Sequence, residues 1–310
     1  MKTQETLTTP VAKYLLEQEL TTATLARQWR DLEIHFVKKQ TAPNVIIEVN
    51  RISAIMFNLD EMDGDVFDDT YTYIVVYDRI NGEIISFYRY IFCKEAIHGK
   101  HDIRLSTAAY FNFSDEFVEK ILPVTIEFGR SVVNKTAKNY EHGLEAVWVG
   151  LGILVYEYHQ HPKGTKIEYF FGKFSLQWNI YNESARNMIL FLFKKHFPPL
   201  YGVDKEAYVK PRYEFETILD FAEPGLMMNS FQYKADRKIL MQHFNSIGLS
   251  MPKLAEAYAN LGGLKSFGTI FNNHLKSWET AILQRIDEID PFYIRRFVDG
   301  YETINSSLFM

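Results

Sequence analysis

Cysteine is almost absent from this chain. A single residue among 310, Cys93, excludes an internal disulfide and any zinc or iron–sulfur centre built from cysteines. It follows the apolar run Tyr90-Ile-Phe, a setting for a buried inert thiol and not for a nucleophile. A basic excess is missing as well: the formal charge is -5, which removes the general case for nucleic-acid binding. Long apolar runs are also lacking. The longest, Ala146 to Tyr156, falls short of the ~20 residues that a membrane span needs, and the N-terminal Met1-Lys-Thr-Gln-Glu has no apolar core of a signal peptide. These absences predict a protein of the reducing cytoplasm, soluble or peripheral at the inner face of the membrane.

What is present is a chain with 47% hydrophobic residues, enough for one large domain with helical additions. Thr9-Pro10 opens a helix, and Leu25, Trp29 and Leu32 continue at helical spacing. Leu32, Ile34 and Phe36 alternate as a first core strand, with His35 on its solvated side. Thr41 before Pro43 caps a helix bearing Val45, Val49, Ile52 and Met56. Tyr71 to Asp78 and Ile84 to Phe92 read as a hairpin around Asn81-Gly82. A strand over Val124 to Val133, an all-round apolar helix over Leu144 to Tyr158 and a strand from Ile167 to Leu176 give a strand–helix–strand order. Asn182 caps a further helix stopped by Pro198-Pro199, helices follow over Asp236 to Phe244 and Met251 to Leu261, and Trp278 to Arg285 reads as an edge strand.

Charged residues inside these apolar segments are the candidate site. Arg89 lies within a strand and cannot shed its charge, so it needs an anionic partner such as Asp65, Asp68 or Glu127. The acidic stretch Asp60 to Asp69 lacks EF-hand spacing, so it reads as a loop whose carboxylates pair with core arginines, with no metal site. Glu127 and Arg130 flank Gly129, where a glycine in a strand marks a bulge or a close backbone approach. Ser131 and Ser175 are further candidates that read equally well as strand serines.

Several ordered motifs, Glu127-Phe-Gly-Arg-Ser131, Asp65 with Phe67-Asp68, Phe87-Tyr-Arg-Tyr90, Tyr110 to Phe117 and Met251 to Gly262, resemble the hemolysin-like N-acyltransferases that make ornithine and glycine lipids. The likeness spans Leu32 to Val298. That family has the GNAT fold and is related to acyl-homoserine lactone synthases. The resemblance implies an α/β (α+β) class with a mixed central sheet flanked by helices, N-terminal helices at 1–31, an acyltransferase core at 32–199 and a helical C-terminal extension at 200–310. Two positions depart from the pattern. Ser53 stands where the family has an arginine, with Arg51 nearby, and Val132 replaces a common cysteine.

The reaction so implied moves a long acyl chain, with or without a 3-hydroxyl, from acyl carrier protein to the amino group of an amino acid such as glycine or ornithine. Glu127 would be the base, Arg130 would act beside it, and Arg89, Asp65, Asp68, Ser131 and Ser175 would serve the substrates. Gly143 is all that remains of a pyrophosphate loop between Asn134 and Gly143, which argues against acetyl-CoA and for a carrier-protein donor with no permanently bound cofactor. Lys135, Lys138, Lys163 and Lys166 would meet that acidic partner. The alternatives are an acetyl-CoA-dependent acetyltransferase, a lactone synthase, and a non-catalytic GNAT-fold binding protein whose charges only satisfy one another.

Overall fold

The computed structural model describes residues 7, 9–99, 101–160, 166–217 and 219–298. Its contacts form two units: Met1–Glu95 with Ile126–Ile167 and Asp290–Met310, and Ala96–Thr125 with Glu168–Ile289.

The first unit contains α1 (Lys13–Glu19), β1 (Leu25–Trp29), β2 (Leu32–Val37), α2 (Pro43–Phe57), β3 (Thr72–Asp78), β4 (Glu83–Phe92), β5 (Thr125–Val133) and α3 (Gly143–Gln160). Its strands pair antiparallel in chain order from β1 to β5. Leu25 to Trp29, expected to be helical, is a strand because Arg30 adopts a φ of 55° and turns the chain back so that Trp29 pairs with Leu32. Pro43 opens α2 as expected, yet Thr41 does not cap it. Glu19 of α1 does so instead, taking the N–H groups of Asn44 (3.1 Å) and Val45 (2.9 Å) and placing a negative charge on the positive end of the helix.

The apolar side of α2, through Val45, Ile46, Val49 and Ile52, packs on Tyr73, Val75, Tyr77 and Phe87 of the sheet. Helix α3 covers the other face. Its Gly150 lies so close to Ile74 that a Cβ there would meet that side chain at 2.5 Å. With both faces covered, all six residues of β2 are buried, and this overturns the reading of His35 as solvated. His35 Nε2 is 3.0 Å from Glu33, and Arg79 donates to both oxygens of Glu33 at 2.8 Å.

The second unit holds β6 (Tyr169–Gln177), α4 (Glu183–His196), α5 (Ala222–Met227), α6 (Tyr233–Ser246), α7 (Lys253–Leu261), β7 (Leu264–Asn272) and β8 (Ser277–Arg285). Asn182 caps α4 as read, accepting from Ala185 N at 2.9 Å, and α7 ends at Gly262 and Gly263, both at positive φ. Strand β8 is not an edge. It pairs with β6 on one side and β7 on the other. Strand β7 escapes sequence reading because its buried positions include Ser266, Thr269 and Asn272 and a bulge interrupts its alternation.

The buried Glu33 yields a pH-dependent prediction. Burial raises its pKa, but hydrogen bonds from His35 and Arg79 outweigh that and hold the carboxyl down at about 2, while burial lowers His35. A depressed carboxyl stabilises the fold above its ordinary value of 4.5, and the contribution disappears as pH falls toward 2. Glu33→Gln is therefore expected to cost roughly 3 kcal/mol at pH 7, as removal of one partner from a buried pair does, and distinctly less at pH 3. Urea unfolding at the two pH values measures this, and an equal penalty at both would contradict it.

Candidate functional site

From Gly129 to Val132 strand β5 takes three steps, while β4 takes two from Arg89 to Phe87. The extra residue is a β-bulge, and Arg130 lies in it with a φ of 49°. Residues three apart on a regular strand face opposite sides of the sheet. The bulge re-aims Arg130, so its guanidinium comes within 3.3 Å of the Tyr73 hydroxyl on the face where the Tyr71 hydroxyl donates to Glu127. The glycine signal at 129 thus marks a real irregularity, one residue before the strained position.

Opposite the bulge, a 3-10 turn at Val66–Asp69 presents two carboxylates. Asp65 caps it, accepting from Phe67 N at 2.9 Å, and Asp68 reaches back to the Asp65 N–H. That capping box points Asp68 into the sheet, where it is 1% exposed. There it accepts from Tyr73 Oη at 2.5 Å, Asn50 Nδ2 at 3.0 Å, Arg89 at 3.1 Å and Arg130 at 3.3 Å. Asp65 receives Arg89 at 2.6 Å and Arg130 at 3.2 Å, and Arg130 also donates to Asn50. Four of the expected residues, Asp65, Asp68, Arg89 and Arg130, are therefore one network, and Glu127 lies on the same sheet face.

The electrostatics follow from this burial. For Asp65 desolvation is outweighed by Arg89 and Arg130, which hold its carboxyl below the usual range. Desolvation of Arg89 is likewise outweighed, by Tyr73, Asp65 and Tyr71, so its guanidinium stays charged, and it lies 5.1 Å from the Tyr71 ring. Arg89 Nε is buried without a hydrogen-bond partner, a donor not used by either aspartate. Burial, with Glu127 close by, pushes the Cys93 thiol well up, in keeping with an inert cysteine.

Sequence reading missed Tyr71, Tyr73 and Asn50, which complete the network. Two tyrosines at period two just after an acidic turn were the available signal, and nothing singled out Asn50. Ser53 is buried and donates to Asp63 at 2.5 Å, while Asp63 lies 3.7 Å from Arg130 Nε. Arg51 does not replace the missing family arginine, because its guanidinium is bound to Glu48 at 2.8 and 2.6 Å. Ser131 is half-buried in the bulged stretch, and Ser175 belongs to the second unit, opposite Glu279 on β8.

Gly143 opens α3 with its carbonyl accepting from Ser86 Oγ at 2.8 Å, and a Cβ there would stand 3.1 to 3.3 Å from Val133, Ser86 and Ile85. Close packing of the helix start on the sheet accounts for this glycine. The loop before it is tied to the β3–β4 hairpin by Asn139 to Asp78 (2.6 Å) and Lys138 N to Glu83 (3.1 Å). Lys135, Lys138 and Lys166 are exposed, and Lys163 lies outside the described residues. A cavity of about 680 Å³ opens at the strand ends, lined by Phe36, Thr70, Thr72, Tyr90, Phe92 and Tyr158, with Thr72 hydrogen-bonded to Tyr90.

A family model described as an acetyltransferase (GNAT) domain matches residues 49–148, a span that holds every member of the network. The glycine N(alpha)-acyltransferase of Phocaeicola vulgatus is 31% identical over 307 residues, covering 92% of this chain and 90% of that protein. The glycine N(alpha)-acyltransferase of Bacteroides thetaiotaomicron is 30% identical over 305 residues, covering 92% and 87%. Among solved structures, the AHL synthase LasI aligns over 52% of this chain and 78% of its own, at 13% identity and a TM-score of 0.31, a remote likeness. With two full-length relatives at this identity and a GNAT domain over the charged network, the chain belongs to the GNAT-fold N-acyltransferase family that includes the glycine N(alpha)-acyltransferases.

Proposed function

We propose that this acyltransferase joins a long acyl chain, carried as a thioester on acyl carrier protein, to the amino group of glycine. The observation that carries the acceptor is the match of 92% of the chain to two proteins named for glycine N-acylation. In the proposed reaction the amine nitrogen attacks the thioester carbonyl, the carbon–sulfur bond breaks, and the carrier thiol leaves. The attacking ammonium must first lose a proton. Glu127, wholly buried and hydrogen-bonded by Tyr71, is the carboxylate we assign to take it, directly or through one water. The backbone N–H of the extra residue in the Arg130 bulge, which a bulge leaves outside the ladder, is the donor we assign to the tetrahedral oxyanion.

The two arginines are held by Asp65 and Asp68, so neither is wholly free for an acceptor carboxylate. The unused Arg89 Nε supports a share in that role, and the aspartates fix its orientation. The donor reading rests on the loop at 134–142, which has no glycine and is bound to the hairpin, so it offers little to a pyrophosphate. Each methylene of a long chain adds about 0.8 kcal/mol of burial, so a chain can replace the binding that a phosphate cradle supplies elsewhere. An acetyl-CoA donor remains the second reading, and α3 still offers the positive end of an 18-residue helix.

Glu127→Gln keeps an acceptor for the Tyr71 hydroxyl and is expected to lower turnover by about 10²–10⁴ with little change in melting temperature. Turnover within threefold of the parent would remove Glu127 as the base. Arg89→Lys or Arg130→Lys is expected to raise the KM for the amino acid on the order of tenfold while leaving the donor's KM nearly unchanged, because a charged hydrogen bond to the acceptor weakens. Equal loss toward both substrates with a lower melting temperature would instead make the arginines purely structural. For the donor, matched assays should favour long-chain acyl carrier protein over acetyl-CoA, with a rate that falls as salt rises and on charge reversal at Lys135 or Lys166. Faster reaction with acetyl-CoA is the outcome that rules this donor out.

A further inference from the structure

The second unit displays two apolar side chains on a segment that is firmly held. Leu226, at the end of α5, is 83% exposed, and Phe231, in the connection from α5 to α6, is 102% exposed. The base of that connection is pinned by a buried carboxylate. Asp236 accepts from Lys195 (2.7 Å) and Ser230 N (2.9 Å) and lies 2.8 Å from His196, while Lys195 also donates to the Met228 carbonyl at 2.7 Å. Helix α5 rests on Phe191 of α4 through Phe221, with ring centroids 5.6 Å apart. These contacts fix the backbone at Met228 and Ser230, between the two apolar side chains.

Exposed lysines lie on the adjoining helices α4 and α6. Lys194 stands 5.2 Å from the Phe221 ring, and Lys234 and Lys238 are exposed one turn apart on α6. Arg237 is paired with Glu256, and of the exposed acids Asp220 precedes α5 and Glu223 lies one turn before Leu226, with none between Leu226 and Lys234. An aromatic and a leucine projecting to solvent, with exposed lysines on the adjoining helices, fit the boundary between headgroups and acyl chains of an anionic bilayer. An acidic protein would explain the lysines and leave the projecting Phe231 and Leu226 without purpose.

We propose that the Leu226–Phe231 segment is a membrane-docking element, its apolar tips entering the interface of an anionic bilayer while Lys194, Lys234 and Lys238 meet the headgroups. The acyl-transfer reading supplies the reason for such a contact, since its product carries a long chain. Vesicle binding is measured without turnover, so the two readings fail separately.

The test is sedimentation of the full chain with vesicles of phosphatidylcholine alone or with one quarter phosphatidylglycerol, at low and moderate salt. Binding is expected for the anionic vesicles, weakening with salt, and falling on the order of tenfold for the double variant Leu226→Ser with Phe231→Ser and for Lys234→Glu with Lys238→Glu. Circular dichroism of each variant checks that it is folded. Phe231→Trp should shift its added emission to the blue when anionic vesicles are present. Failure of the parent to bind anionic vesicles at low salt overturns the proposal, as does unchanged binding of the double serine variant. Capture of acyl carrier protein through the same lysines without vesicle binding would assign the surface to a protein instead.

Discussion

The buried carboxylate of Asp68 is the point on which the site depends. It receives a tyrosine hydroxyl from β3, an amide from α2 and guanidinium groups from β4 and β5, so four elements converge on one side chain. Removing a charge of this kind leaves two buried arginines short of a partner, and the capping box that delivers Asp68 explains why an acidic turn is built immediately before β3. The network rigidifies the edge of the candidate site as well as compensating its charges.

That network also makes the bulge sustainable. A left-handed φ at a non-glycine residue is uncommon, and at Arg130 the side chain so placed gains Asn50, Asp65, Asp68 and Tyr73. The strain and the ion pairs are two halves of one arrangement. Its effect is to set Arg130 on the sheet face of Glu127, which the strand's own period would deny. Backbone geometry and electrostatics therefore act together where the chemistry is assigned.

Elsewhere the same economy of paired charge recurs with a different purpose. Glu33 with His35 and Arg79 supports β2 under a fully covered sheet, and Asp236 with Lys195 and His196 holds the connection between α5 and α6. Both networks bury an acid at a place where a loop or strand must keep one geometry. In the first case this gives stability that depends on pH, and in the second it displays two apolar side chains that the fold itself does not use.

Much of this was legible in the chain itself. Alternation and capping marked β2 to β6 and the helix after Asn182, because those signals are local, and the ordered charged motifs pointed to Asp65, Asp68, Arg89, Glu127 and Arg130 together with the GNAT resemblance. Only the tertiary structure decided that Leu25 to Trp29 is a strand, that His35 is buried and that β8 lies between two partners, since each depends on what covers or pairs with the segment. It alone brought Tyr71, Tyr73 and Asn50 to the site. Above all it set Arg130 on the sheet face of Glu127. A bulge is a relation between two strands 40 residues apart, from Arg89 against Gly129, and no pattern within either strand records on which side the extra residue will face.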